Sequence, residues 1–202
     1  MLPALIVASV STAAVFIAAR RLRAVTVLIP AEPGALRAAV RSESPSAIHL
    51  AVRRVFPDEH DAAVLCGGLE DGAVSAQAVA TLNEHLGDVA SGLAAGRNAP
   101  RAMARAALAS GTLAAVLELS GSVASATGAS WAPALWEFFA GAAGAAAAFE
   151  IDRRSAVREE RARAGWDEIG AVFAGRLGAG AAAGRPQNPG RGAGRHPDTQ
   201  DE

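Results

Sequence analysis

The sequence predicts an all-α integral membrane protein with three transmembrane helices, an outward N-terminus, a helical cytoplasmic insert and a cytoplasmic helical extension. Hydrophobic residues make up 51% of the 202 residues, and they are concentrated in separate blocks. Three of these blocks are long enough to cross a bilayer as helices. All 19 basic residues are arginines, and every one lies outside these blocks, in residues 20–105 or 153–195. Arginine collects in cytoplasmic segments, so this distribution predicts the orientation.

The first span is predicted at residues 1–19. Residues 2–19 are uncharged and would form a helix of about 27 Å, close to the thickness of the hydrocarbon layer. Positive charge follows this run, in RRLR at residues 20–23, and does not precede it. That order favours an uncleaved anchor with a cytoplasmic C-terminal end over a cleaved signal peptide.

Residues 20–105 are predicted to form a cytoplasmic region of short helices, because helix-like patches alternate with prolines and a glycine pair. The segment PDEHD at residues 57–61 is interpreted as the start of a helix, with a cation site as the alternative. The single Cys66 excludes an intrachain disulfide. The net charge of −1, with no basic face interleaved with aromatics, argues against nucleic acid as a partner.

Residues 106–129 and 130–149 are predicted to form the second and third spans. GASWAP at residues 128–133 is a natural turn between them, so the two spans make a hairpin. Aromatic residues cluster near this turn and favour the membrane–water boundary: Trp131, Trp136, Phe138 and Phe139.

Residues 150–177 are predicted to continue the third span as an amphipathic cytoplasmic helix. Trp166, Ile169, Phe173 and Leu177 recur there at helical spacing, opposite charged positions. Residues 178–202 carry too few apolar side chains to offset the entropy of ordering, so they are predicted to be a disordered tail.

Glu118 and Glu137 are the only charged residues between positions 106 and 149. An ionised acid at the centre of a transmembrane helix costs roughly 2.5–3.5 kcal/mol on insertion scales, so such a residue normally faces protein or water. Small residues, which allow close helix packing, share a face with each acid: Gly111, Gly121 and Ser122 with Glu118, and Gly141 and Gly144 with Glu137. Both acids are therefore predicted to face an interior as functional groups. The alternative for Glu118 is a silent carboxyl that is neutral or hydrogen-bonded to a serine of a neighbouring helix. The alternative for Glu137, one turn in from the interface, is a carboxylate that simply reaches lipid headgroups or water.

The order of these segments resembles the MotA/TolQ/ExbB proton-channel family. Gly111 and Thr112 in SGTLAAV resemble the Gly-Thr pair of that family's second span, where the threonine lines the proton path. Glu137 in PALWEFFAGAAG resembles the acid near the outer end of the third span in the ExbB and TolQ branch. Glu118 has no counterpart in that pattern.

The resemblance implies a multi-pass protein of the bacterial inner membrane that couples the proton-motive force to work. It implies a homopentamer around the single transmembrane helix of an ExbD/TolR/MotB-like partner, with Thr112 and Glu137 on the proton path. Glu118 is predicted to be a second polar station from its place in the second span, not from the resemblance. The alternative is a non-conducting membrane scaffold that uses the same small-residue faces only to pack helices. No motif typical of proteolysis, nucleotide hydrolysis or thiol redox chemistry occurs, so the sequence predicts neither an enzyme, nor a cofactor, nor a metal site.

Overall fold

The computed structural model describes residues 2–70, 76–124 and 131–183, and all regular secondary structure in these ranges is helical. The described helices, in chain order, are α1 (Leu2–Val27), α2 (Pro33–Ser42), α3 (Pro45–Val55), α4 (Glu59–Glu70), α5 (Ala76–Ala94), α6 (Ala99–Ala124) and α7 (Trp131–Ala183). The predicted all-α class is confirmed. The predicted turn at residues 128–133 lies mostly outside the described ranges, and α7 begins at Trp131.

Three helical segments are long and apolar enough to cross a membrane: Leu2–Val27, Ala76–Val123 and Trp131–Arg176. The second of these covers α5 and α6, and the apolar run predicted as the second span lies in α6. Helices α1, α6 and α7 pack against one another in all three pairings. The structure thus has the three apolar helices that a three-span protein requires.

The spans meet through a core made of alanine. Its buried members are Ala14, Ala18, Ala104, Ala107, Ala145 and Ala148. Small side chains let helix backbones approach closely, which suits a membrane bundle held by dispersion contacts and not by expulsion of water. Large apolar side chains point outward instead, with Phe16, Leu113 and Trp136 all more than 60% exposed. Such an outer surface suits contact with lipid.

The short helices begin where the sequence dictates. Pro33 and Pro45 occupy the first turns of α2 and α3, where a missing backbone N–H costs nothing. The Asp58 carboxylate accepts hydrogen bonds from the backbone N–H groups of His60 (2.9 Å) and Asp61 (3.1 Å) at the start of α4. The interpretation of residues 57–61 as a helix start is confirmed. Nowhere in the described ranges do three acidic, histidine or cysteine side chains gather as metal ligands would.

A second core, built from large side chains, lies between α2–α5 and the end of α7. Phe56, Leu65 and Phe173 are almost completely buried in it. Trp166 also packs there, and its Nε1–H donates to the Leu28 carbonyl oxygen at 2.8 Å, just past the end of α1. The predicted buried positions Trp166, Ile169 and Phe173 are confirmed, and the side chain of Leu177 lies outside the described part.

Helix α7 runs unbroken for 53 residues, about 80 Å at 1.5 Å per residue. The predicted third span and the predicted extension are therefore one rigid element. Because α7 ends at Ala183, it includes residues 178–183 of the segment predicted to be a disordered tail. The rest of that segment, residues 184–202, lies outside the described residues.

One buried stripe follows α7, with its members three or four residues apart. Its members are Ala134, Glu137, Gly141, Ala145, Ala148, Asp152, Ser155, Glu159, Ala162, Trp166, Ile169 and Phe173. The stripe changes chemistry along the helix, from small residues in the span, through three polar residues, to bulky apolar residues in the second core. The polar stretch therefore lies between the two cores.

Candidate intramembrane carboxyl site

Glu137 is buried where the three spans cross. Its side chain lies on the interior stripe of α7, and the residue is only 4% exposed. The Oε2 atom has no hydrogen-bond partner among the residues that the structure describes. A buried polar atom without a partner costs free energy, and more so in a membrane interior, where no bulk water is available.

Two glycines bring α6 and α7 into backbone contact beside Glu137. A Cβ atom added to Gly111 would lie 2.9 Å from the Glu137 carbonyl oxygen and 2.9 Å from the Gly141 Cα. A Cβ atom added to Gly141 would lie 2.8 Å from both the Ala107 carbonyl oxygen and the Gly111 Cα. No side chain fits between these backbones, so α6 and α7 are in direct backbone contact at these two glycines.

Helix α1 closes the third side of the site through Ser11. A Cβ atom on Gly144 would lie 2.5 Å from the Ser11 Cβ, so Gly144 is also a packing residue. The Ser11 hydroxyl donates to the Ala140 carbonyl oxygen at 3.3 Å, one turn along α7 from Glu137. Ser11 was not among the residues predicted from the sequence. The available signal was its helical spacing from Val7, Ala14 and Ala18, which makes it the one hydroxyl residue on that face.

Glu118 lies near Glu137 in depth but is only partly buried. Gly111 faces Gly141 in an antiparallel hairpin. Glu118 lies seven residues from Gly111 towards the turn, and Glu137 lies four residues from Gly141 towards the turn. Glu118 is therefore about three positions, or roughly 4.5 Å, closer to the turn. The Ser122 hydroxyl donates to the backbone oxygen of Glu118 at 2.8 Å. A Cβ atom on Gly121 would meet nothing within 4 Å, unlike one on Gly111 or Gly141.

Thr112 lies on the exposed side of α6, away from the buried stripe of α7. Its hydroxyl donates to the Leu108 carbonyl oxygen of the same helix at 2.9 Å. Within one chain the structure therefore does not bring together the three predicted path residues. Glu137 is interior, Glu118 is partly buried, and Thr112 is exposed on the outer face of α6.

A second polar site, which the sequence analysis did not identify, lies between the two cores. Arg21 is 7% exposed, and its Nη2 atom lies 3.0 Å from Glu159 Oε2. The same guanidinium donates to three carbonyl oxygens at the end of α5: those of Gly92 at 3.2 Å, Leu93, and Ala95 at 2.8 Å. Cationic groups suit helix C-termini, so Arg21 ties α1 to both α5 and α7.

The signal for this second site was present in the sequence. Arg21 belongs to RRLR, which the topology argument uses only as a cytoplasmic retention signal. Glu159 continues the three-and-four spacing that runs from Glu137 to Phe173. Extending that spacing through the charged part of α7 would have marked Glu159 as inward-facing.

Known proteins offer no guide to either site. No family model, curated protein or solved structure matches this chain. The function is therefore argued from the geometry of the chain itself, and the resemblance in segment order stays an expectation.

Proposed function

We propose that this chain is the multi-span subunit of a proton-conducting complex of the bacterial inner membrane, in which Glu137 carries the proton. One observation supports this above all: the Glu137 carboxyl group is buried among three apolar helices, and one of its oxygens has no hydrogen-bond partner among the residues that the structure describes. An acid at that depth is costly to insert. A group retained at such a cost is a candidate for proton transfer, because carboxyls can both accept and release protons.

Packing does not account for Glu137. The glycine contacts and the alanine core already join α6 to α7 and α1 to α7 without any contribution from the carboxyl group. Gly111, Gly141 and Gly144 make their close contacts within one chain and so are not free to pack a second copy. The alternative, a scaffold assembled through small-residue faces, would have to use residues other than these three glycines.

The proposal includes oligomerisation around a partner helix. Thr112 lies on an exposed face of α6, beside the outward-facing Leu113 and Val116. A proton path that uses both Thr112 and Glu137 then needs a neighbouring helix to bridge the two faces. A second copy of this chain, in a homopentamer, or the single-span ExbD/TolR/MotB-like partner would supply it.

The orientation is part of the same proposal. Arginines flank the predicted cytoplasmic ends of the three spans, at Arg20, Arg105 and Arg153 among others. None lies in the N-terminal run or in the turn between α6 and α7, which supports an outward N-terminus. A Cys66→Ser background with single cysteines at Glu160 and Trp131 tests this. In intact cells an impermeant maleimide should label only position 131, and labelling of position 160 would contradict the orientation.

Proton flux tests the role of Glu137. The full-length protein would be reconstituted into liposomes together with the single-span protein that co-purifies with it. Flux is driven by a potassium diffusion potential and read by an internal pH dye. We expect Glu137→Gln to lower the flux at least tenfold, since glutamine keeps the shape and cannot release a proton. Glu160→Gln, an exposed change on the same helix, should leave the flux unchanged.

The same preparation separates the two hypotheses. If Glu137→Gln and Thr112→Ala both conduct like the unmodified protein, the proton-path assignment is wrong. If the unmodified complex conducts no better than empty liposomes while forming a stable oligomer, a non-conducting scaffold is supported instead. Native mass spectrometry of the detergent-solubilised complex gives the subunit count, and any ring other than five copies contradicts the pentamer.

A further inference from the structure

A polar cavity of about 310 Å³ opens between the two cores, where α1 ends, α6 begins and α7 leaves the predicted third span. The residues that matter for its chemistry are Arg97, Asn98, Arg101, Asp152, Ser155 and Glu159. Neither the carboxyl site around Glu137 nor the proposed proton path uses this cavity.

Its position places the cavity at the depth of lipid headgroups. Asp152 and Ser155 lie three and six residues beyond Phe149, the end of the apolar run, or about 4.5 and 9 Å along α7. On α6, Arg101 lies five residues before Ala106, where the second apolar run begins. Both helices thus bring the lining residues just past the hydrocarbon boundary, on the side that carries the arginines.

Ser155 is the observation that points to a ligand. The residue is 3% exposed, it lines the cavity, and its Oγ atom has no hydrogen-bond partner among the described residues. Other helical hydroxyls in this chain, including Thr112 and Ser120, donate to the carbonyl oxygen four residues earlier. Ser155 does not, so it keeps a buried donor available to whatever occupies the cavity.

Two arginines offer further donors. The side chains of Arg97 and Arg101 are each 61% exposed, and they pair through Nε with Glu159 at 3.5 Å and Asp152 at 2.9 Å. In the described structure no acceptor binds the Nη groups of either residue. Asn98 precedes the first residue of α6, a helix of 26 residues, so the positive end of that helix also faces the cavity.

The two carboxylates in the lining do not cancel this positive charge. Three arginines (21, 97 and 101) and two acids (152 and 159) line the cavity, which leaves one net positive charge. Glu159 is already neutralised by Arg21 at 3.0 Å and by Arg163, outside the lining, at 2.6 Å. The remaining exposed guanidinium groups therefore favour an anion.

We propose that this cavity binds the phosphate group of an anionic phospholipid on the cytoplasmic side of the membrane. Guanidinium groups, a hydroxyl and a helix N-terminus are the donors that phosphate oxygens prefer, and basic pockets between spans at this depth suit lipid headgroups. Free inorganic phosphate shares this chemistry, but the cavity's level at the membrane edge favours lipid as the source. The proposal holds whether or not the protein conducts protons.

The test measures binding to the full-length protein in detergent. Native mass spectrometry would count bound phosphatidylglycerol against phosphatidylcholine of the same chain length. Thermal unfolding, followed by tryptophan fluorescence, would report stabilisation by each lipid and by inorganic phosphate at equal concentration. We expect preferential binding of phosphatidylglycerol and a higher melting temperature with it than with phosphatidylcholine.

Ser155→Ala is the decisive variant, because it removes a hydroxyl that bonds to no described residue. Without lipid its melting temperature should equal or exceed that of the unmodified protein, so loss of fold cannot explain its behaviour. Its affinity for phosphatidylglycerol should fall about tenfold, since a hydrogen bond to a charged group is lost. Arg97→Gln should weaken binding by at least as much, and Ser120→Ala and Arg105→Gln are the matched controls that should not.

Each outcome decides the proposal. Equal affinity of the unmodified protein, Ser155→Ala and Arg97→Gln for phosphatidylglycerol would overturn it, as would equal binding of the two lipids. Stabilisation by inorganic phosphate that matches phosphatidylglycerol and is lost in Ser155→Ala would keep the phosphate site and overturn lipid as its source.

Discussion

Replacing Gly141 with alanine tests whether the α6–α7 contact defines the membrane core. The new Cβ would lie 2.8 Å from the Ala107 carbonyl oxygen, 2.8 Å from the Gly111 Cα and 3.1 Å from the Gly111 nitrogen. Ordinary van der Waals contact begins near 3.4 Å, so the backbones must separate by about 0.6 Å. All three obstructing atoms belong to backbone, so no side chain can rotate to relieve the contact.

The expected magnitude follows from two opposing effects. Alanine is a better helix former than glycine by about 1 kcal/mol, which favours the variant. Forcing extra volume into a well-packed interface costs about 1–3 kcal/mol, and the separation also loosens the neighbouring alanine contacts. We therefore expect Gly141→Ala to be neutral or to destabilise the protein by up to about 2 kcal/mol, and Gly141→Leu to destabilise it more.

The matched control is Gly121→Ala. A Cβ atom there would meet nothing within 4 Å, so this variant has the same propensity gain without the steric cost. The free energy of unfolding would be measured in mixed micelles by denaturant titration and tryptophan fluorescence. The difference between the two variants isolates the contact and should be about 1–3 kcal/mol in favour of Gly121→Ala. If both variants are equally stable, the close approach of α6 and α7 at these glycines is wrong.

Three further changes test other parts of the fold. Glu159→Gln leaves the buried Arg21 guanidinium with a weaker partner. It should lower the free energy of unfolding, measured by denaturant titration, by about 3 kcal/mol. A change below about 0.5 kcal/mol would show that the pair is solvated. Gly144→Ala should lower the melting temperature, because the new Cβ meets the Ser11 side chain at 2.5 Å. Adding Ser11→Gly to the same chain should restore most of the lost melting temperature. If the double variant is no more stable than Gly144→Ala alone, this contact is wrong. Trp166→Phe should cost about 1 kcal/mol for the hydrogen bond to Leu28, and an unaltered unfolding midpoint would contradict that bond.

The hydrophobic pattern alone predicted much of the architecture. Residues 2–19 and 106–149 contain only two charged residues, and the structure has apolar helices at 2–19, 106–124 and 131–149, as the energetics of burying charge require. Local signals were also sufficient for the start of α4, because Asp58 needs only its own neighbours to cap that helix. The spacing of Trp166, Ile169 and Phe173 identified a buried face for the same local reason.

The partners of the polar residues could not be predicted in this way. The resemblance predicted Thr112 and Glu137 on one proton path, but in the structure the threonine lies on the exposed face of α6 while the glutamate is buried. From the sequence alone, Arg21 and Ser155 are indistinguishable from ordinary solvent-exposed residues. In the structure they are buried because the ends of three helices meet around them. The hydrogen-bond partners of Arg21 lie 71 to 138 positions away in the chain.

The sequence by itself determined that the chain is helical and which three segments are apolar enough to span a membrane, because hydrophobic period and charge placement are properties of neighbouring residues. Only the tertiary structure decided that one Glu137 oxygen has no partner in the described part of the chain, that glycines 111 and 141 touch, and that a polar cavity lies between two cores. These features depend on how each helix is rotated about its axis and on contacts between distant segments. The sequence does not fix those rotations, because small residues such as glycine and alanine allow many of them with nearly equal hydrophobic gain.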